Sequence, residues 1–294
     1  MNTETIGMIF AFIQLIAAAV QPVLTKLSVT VINPLFAASM TSFIGCIIPF
    51  ILLIRNKALK IIFKKENLKE LLLIGFFGTV MTYALFFSGA KLTTGINTAI
   101  LLQVEPIYSI LLSFFILKEK VTVKQVLATL LIVVGIVAVV YNVSFSFNLG
   151  DLFILLTPLF YQLSHVISKK VINKYGTYAI QSARYFYGGI MLLVISTLFG
   201  MNQFNLLTEF SNLSIILALG IIVAGIGTLS FYESIKRINL SKTTALISPY
   251  SVIGVILAWL VLKETPTLYQ IIGLILILFG IFALTKIRSE KRIK

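Results

Sequence analysis

Charge is scarce in this sequence. Asp, Glu, Lys and Arg make up 12% of the 294 residues, and 59% are hydrophobic. A soluble domain carries about 25% charged residues. With a mean hydropathy of +1.03, the chain has more apolar surface than one water-soluble core can hide, so a lipid bilayer must be its solvent. Cysteine is nearly missing too. Cys46 is the single one and lies inside an apolar run, so no intramolecular disulfide can form. His165 is the only histidine and Asp151 the only aspartate. A His/Cys metal centre cannot be assembled from that set, so no metal is expected. No HExxH motif or acidic cluster is present, and acid–base or metal chemistry needs such groups; no enzyme is expected. The GxxxxGK[ST] phosphate loop is absent, which argues against ATP use, and no cofactor is expected. No Lys or Arg precedes the first apolar run, so Ala17-Ala18-Ala19 reads as part of a retained helix rather than a cleavage site.

Long apolar runs fill the chain instead. A spanning helix needs about 20 mostly apolar residues. Ten such segments are expected, at 6–26, 33–54, 70–90, 95–117, 122–141, 150–171, 177–200, 213–234, 241–262 and 267–286. The fold class is therefore an all-α integral membrane protein. An even count places both termini on one side. On that side fall all but four of the 24 Lys and Arg residues; the other side has Lys26, Lys91 and Lys263, and Arg184 lies within a span. The positive-inside rule then makes both termini cytoplasmic, in a multi-pass protein of the plasma or inner membrane. The formal charge of +14 belongs to short loops that touch anionic lipid, and no nucleic-acid partner is expected.

The chain also repeats itself. At an offset of 145 residues, without gaps from Leu71 to Val140, Gly75 matches Gly220, Phe86 matches Phe231, and Lys91 matches Lys236. Further on, Lys118-Glu119 matches Lys263-Glu264, Gln125 matches Gln270, and Gly135 matches Gly280. Each unit, 1–145 and 146–294, holds five helices. An odd number turns the second unit upside down relative to the first. Loop charge inverts accordingly: the basic stretch from Arg55 to Lys69 corresponds to Gly200–Asn212, which has no Lys or Arg. Inverted repeats are a common plan of secondary transporters, with the substrate near the midplane between halves.

Two runs carry a family resemblance: EPIYSILLSFFILKEKVTVKQ from Glu105, and SPYSVIGVILAWLVLKETPTLYQ from Ser248. Each has a proline-bearing helix, a Lys-Glu pair at its end, a Gln beyond, and then Gly135 or Gly280. The pattern resembles the drug/metabolite transporter superfamily, in particular its EamA-type members, over nearly the whole chain. Arg184 fits an arginine that members carry early in the seventh helix, while Met40 stands at the equivalent place in the second. The resemblance implies ten helices, cytoplasmic termini, a central cavity enclosed by both halves, and export or exchange of amino acids, nucleobases, sugars or similar solutes.

Polar residues inside spans are costly, which makes them candidates for function. On the fourth helix Asn97, Glu105 and Tyr108 follow helical spacing and share one face; Glu105 is a candidate for binding a proton or a substrate ammonium. Tyr250 occupies its repeat position. Tyr161 and His165 share a face of the sixth helix, and Arg184 on the seventh is a candidate for gripping a carboxylate. Gln14, Gln21 and Thr25 stripe the first helix; Tyr83, Thr228, Tyr232, Thr244 and Ser248 complete the candidate cavity lining. Pro106 and Pro249 each remove a backbone hydrogen bond inside a helix and are candidate hinges. The pairs Lys118-Glu119 and Lys263-Glu264 read as structural helix ends. Together these residues predict a secondary carrier of small organic solutes, an exporter with protons as a candidate coupling ion, working as a monomer or homodimer. A channel or scaffold, or a membrane-embedded enzyme, is the alternative.

Overall fold

The computed structural model describes residues 2–117, 122–140, 148–238 and 240–286. Lys118 and Glu119, the first Lys-Glu pair, lie outside the described residues. Every regular element among them is helical. α1 (Thr3–Val31) starts at Asn2, whose side chain accepts from the Thr5 N–H at 2.8 Å. α2 (Pro34–Arg55) begins on a proline, where a missing N–H costs nothing, behind the Asn33 cap. α3 spans Lys65–Leu92 and α5 Val123–Val140. The run Leu149–Leu198 turns at Gly176, whose φ of 79° only glycine adopts easily, and so separates α6 (149–175) from α7 (177–198). α8 covers Phe210–Arg237 and α10 Leu268–Lys286. Among the described residues seven helices are long and apolar enough to cross a bilayer, the run through Gly176 counting as one, and Tyr250–Leu262 and Leu268–Leu284 are shorter apolar helices.

Two helices are interrupted at matching places. α4 is split into α4a (Gly95–Leu101) and α4b (Glu105–Leu117) by a tight turn, Leu102–Val104. Pro106 has no N–H to serve a carbonyl of the preceding turn, so regular α-helix cannot run through it. α9 is split into α9a (Leu240–Ile247) and α9b (Tyr250–Leu262) around Pro249. Both proline candidates thus sit at interruptions. A second matched pair of irregularities lies in α3 and α8. Phe76–Met81 and Leu219–Gly227 form widened turns in which each carbonyl bonds five residues on, a geometry frequent at functional sites.

Packing follows the sequence repeat. A Cβ on Gly135 of α5 would meet the Gly273 carbonyl and Ile277 of α10; a Cβ on Gly280 of α10 would meet the Ala128 carbonyl and Ile132 of α5. These are the same contacts with the halves exchanged, as two-fold symmetry between the repeats requires. Gln103 and Ser248 are also repeat partners, and Gln103 Nε2 donates to the Ser248 carbonyl at 2.7 Å. Equivalent residues can touch only where the symmetry axis passes between them, so the two helix interruptions meet on the axis.

The symmetry breaks between the two sides of the axis. Let the near side be where α1 begins and the far side where it ends. On the far side α4a packs on α9b: Ala99 is fully buried, and its Cβ lies 3.1 Å from where a Cβ on Gly254 would stand. Among the described residues, the equivalent near-side pair, α4b and α9a, has no comparable packing. Leu101 on the far side is 0% exposed, and its repeat partner Leu246 on the near side is 38% exposed.

Candidate functional site

A cavity of about 930 Å³, including its opening, lies between the halves. It extends between α9a, through Thr244, Ile247 and Ser248, and the start of α4b, through Glu105 and Pro106. Thr244 is the repeat partner of buried Ala99, so one sequence position lines the opening in one half and seals the bundle in the other.

Among the described residues Glu105 is the sole carboxylate on the cavity wall. It begins α4b and is held from α6: the Tyr161 hydroxyl donates to Oε2 at 2.8 Å and Gln162 Nε2 donates to Oε1. Helical spacing brings Tyr161 and Gln162 together at one level of α6, so one turn positions both oxygens. Among the described residues Glu105 makes no ion pair.

His165 continues the wall one turn along. Its ring stacks on Phe231 with centroids 4.4 Å apart and lies 5.4 Å from Tyr161. Beyond it stands Arg184, also on the wall but largely committed to the protein. Nε and Nη2 both donate to the Gly78 carbonyl, at 3.0 and 2.6 Å, and Nη1 donates to the Tyr232 hydroxyl at 3.2 Å. Gly78 lies in the widened turn of α3. One helical turn earlier on α7, Gln181 Nε2 donates to the Ala224 and Gly225 carbonyls in the matching turn of α8, at 2.7 and 2.8 Å. Widened turns leave carbonyls poorly served by their own helix, and a buried acceptor without a partner costs about 1–3 kcal/mol. α7 answers that need in both halves.

Tyr83 and Tyr185 share a hydroxyl contact at 3.1 Å, and Tyr185 pairs with Thr228 Oγ1 at 2.7 Å. Tyr83 and Thr228 are repeat partners, so both halves converge on the Tyr185 hydroxyl. Gln14, Gln21 and Tyr250 complete the polar wall. The wall is thus amide, hydroxyl and aromatic, with one carboxylate and one guanidinium that are not paired to each other.

Several candidates fall elsewhere. Tyr232 is fully buried behind the wall, where it supports Arg184 and contacts Ser168 Oγ at 3.4 Å. Tyr108, half-buried, and Pro249, exposed, both lie off the cavity wall. Asn97 does not share the cavity with Glu105. The tight turn at Leu102–Val104 resets the helical phase between them and leaves Asn97 in a far-side cluster. There Asn97 Nδ2 donates to Asp151 at 3.1 Å, Thr93 Oγ1 donates to the same oxygen, and Gln270 Nε2 donates to Asn97 Oδ1 at 2.7 Å. Thr228 and Thr244, polar candidates in the sequence, do line the wall, whereas sequence reasoning missed Gln103 and Tyr185 there. It matched Phe86 with Phe231 without placing them there. The repeat itself held a signal for Gln103, as the partner of Ser248.

A sequence model of the EamA-like transporter family matches the chain twice, over residues 5–141 and 148–286. The chain belongs to the EamA-like transporter family. An uncharacterized transporter of Methanothermobacter thermautotrophicus is 31% identical over 229 residues, which is 75% of this chain and 65% of that relative's own length. The uncharacterized transporter YoaV of Bacillus subtilis is 26% identical and covers 91% of the chain and 92% of itself. A protein of Rickettsia bellii named S-adenosylmethionine uptake transporter is 25% identical, with 99% of this chain and 98% of the relative aligned. A solved crystal structure matches the fold of this EamA-like transporter with a TM-score of 0.71 at 17% identity, over 95% of this chain and 96% of that one.

Proposed function

We propose that this chain is a secondary carrier that moves small organic solutes of the amino-acid class across the cell membrane by alternating access, without ATP. The observation that carries the reading is the broken symmetry: one cavity, sealed on the far side and lined on the near side by the same repeat positions. A carrier needs two such states, and inverted repeats supply the second by exchanging the conformations of the halves. The cavity wall supports the solute class. Glu105 offers an acceptor for an ammonium group or a proton, the field of Arg184 favours an anionic end, and the aromatic rings cover an apolar body. A solute like that named for the rickettsial relative belongs to this class. The near side, rich in Lys and Arg loops, is the cytoplasmic one, so the cavity loads from inside and the carrier works as an exporter.

Counterflow in proteoliposomes tests this. The panel is labelled amino acids, S-adenosylmethionine, nucleobases and sugars, with and without a pH gradient. Saturable exchange of an amino-acid-class solute is the expected result. Linear flux that does not saturate would indicate a channel and overturn the carrier.

A further inference from the structure

The far-side seal is made by few groups, and one of them does not belong to the cavity. Lys263, just past α9b, has left-handed backbone (φ 59°). That turn brings the Glu264 carboxylate back over the start of α4a. Glu264 Oε1 accepts from the Gly95 N–H and Oε2 from the Ile96 N–H, both at 2.8 Å. The first N–H groups of a helix have no partner of their own and carry its positive end, so a carboxylate there is well placed. Glu264 comes from the opposite repeat, 169 positions away. Below it, Gly95 admits Leu262 and Ala258 of α9b at close range.

We infer that Glu264 is the far-side latch of the transport cycle: its two bonds to the α4a N-terminus hold α9b against α4a and keep the cavity closed to the far side. This rests on the alternating-access reading above. The chemistry suits a latch that must open repeatedly. When α9b swings away, the carboxylate and both N–H groups meet water from the far side and are solvated again, so no buried group is left unpaired. Gln103 and Ser248 touch on the symmetry axis, where the displacement on exchange of the two states is smallest. Motion about that point parts the far halves of α4 and α9 while bringing the near halves, α4b and α9a, together.

The test reads side-specific access directly. Cys46 is replaced by alanine and a reporter is placed at Ala18, which lines the cavity, as Ala18→Cys. A membrane-impermeant thiol reagent is applied to the near or the far side of oriented vesicles. With Glu264 intact, labelling is expected from the near side and protection from the far side. Glu264→Gln keeps the volume but loses the charge and one acceptor, and is expected to raise far-side labelling on the order of tenfold. Glu264→Ala is expected to raise it further. Near-side labelling stays within twofold of the parent in all variants, which shows that the cavity is still folded. Far-side protection unchanged in Glu264→Ala, with near-side labelling preserved, overturns the latch. The carrier reading fails separately: absent counterflow with a latch-dependent labelling pattern refutes transport and leaves the latch standing.

Discussion

Replacing Arg184 by lysine separates two roles that a positive charge in a span leaves fused. Arg184 is 5% exposed, so water does not replace bonds that are lost. Its fork serves the Gly78 carbonyl twice and the Tyr232 hydroxyl once. Lysine keeps the charge but has a single point of contact on a flexible stem. It retains one bond to Gly78 at best and abandons Tyr232. A hydrogen bond to a charged group contributes about 1.5–3 kcal/mol net, so Arg184→Lys is expected to destabilise the fold by roughly 2 kcal/mol, and Arg184→Gln, which also loses the charge, by more. The natural reporter is Cys46, the only cysteine and buried. A fluorogenic thiol reagent in detergent reacts as the fold opens, with no engineered probe. The expected outcome is a lower unfolding midpoint for Arg184→Lys, with the solute KM within a few-fold of wild type because the field at the cavity wall survives. In a double-mutant cycle with Tyr232→Phe, the two changes couple by about 1 kcal/mol, since they share a bond. An unchanged midpoint together with lost solute affinity would refute the structural role and return Arg184 to the carboxylate-gripping role its sequence position first implies.

Other outcomes follow from single contacts. Glu105→Gln removes the cavity-wall carboxylate; the KM for ammonium-bearing solutes is expected to rise on the order of tenfold, about 1.4 kcal/mol, and the pH dependence of counterflow to disappear. Normal transport with unchanged pH dependence would dispose of proton coupling through this residue. Gly273→Ala puts a Cβ 2.5 Å from both the Gly135 carbonyl and Val139 Cγ2, which must push α10 off α5; a loss of about 1–3 kcal/mol is expected from such overpacking, read by Cys46 reactivity. Lys263→Gly relieves a left-handed residue and is expected to leave stability unchanged or raise it by up to about 1 kcal/mol; a clear loss would mean that the lysine side chain, not the turn, matters there.

How much of this the sequence discloses depends on what kind of partner a residue has. Helix positions are legible because about 20 apolar residues in a row have few other uses, and the repeat is legible because Gly135, Gly280 and the Lys-Glu pairs recur at one offset. The helix interruptions are legible through Pro106 and Pro249, since a missing N–H is written in the residue type. Asn97 shows where that reading stops. Regular spacing puts it on the face of Glu105, yet the tight turn ahead of Pro106 turns the face, and the proline marks the interruption without telling by how much the face turns. The widened turns of α3 and α8 are likewise silent in sequence. So therefore is the reason for Gln181 and Arg184, whose partners are backbone carbonyls of Gly78, Ala224 and Gly225. A side chain that serves another side chain can be guessed from pairs of residue types; one that serves a carbonyl exposed by irregular backbone cannot.

The two halves are related but not equal, and their differences set which state rests. Asn97 and its repeat partner Lys242 make this plain. Asn97 ties α4a to α6 through Asp151, which is 4% exposed. Lys242 ties α9a to α1 through Glu4, and both members of that ion pair are exposed. An exposed pair contributes about 0–1 kcal/mol and weakens with salt, whereas the far-side group adds buried hydrogen bonds from Thr93 and Gln270 and the two bonds of Glu264. On the carrier reading proposed above, these far-side ties favour the far-closed state. A solute moves a two-state equilibrium only by its difference in affinity for the two states. On the proposed cycle it must bind better where α4b and α9a close around it; Glu105 begins α4b and its repeat partner Tyr250 begins α9b, and both line the same cavity. Repeat partners thus differ in chemistry on the wall, a carboxylate in one half and a phenol in the other, and on the proposed reading that difference lets the cavity distinguish the two ends of a solute.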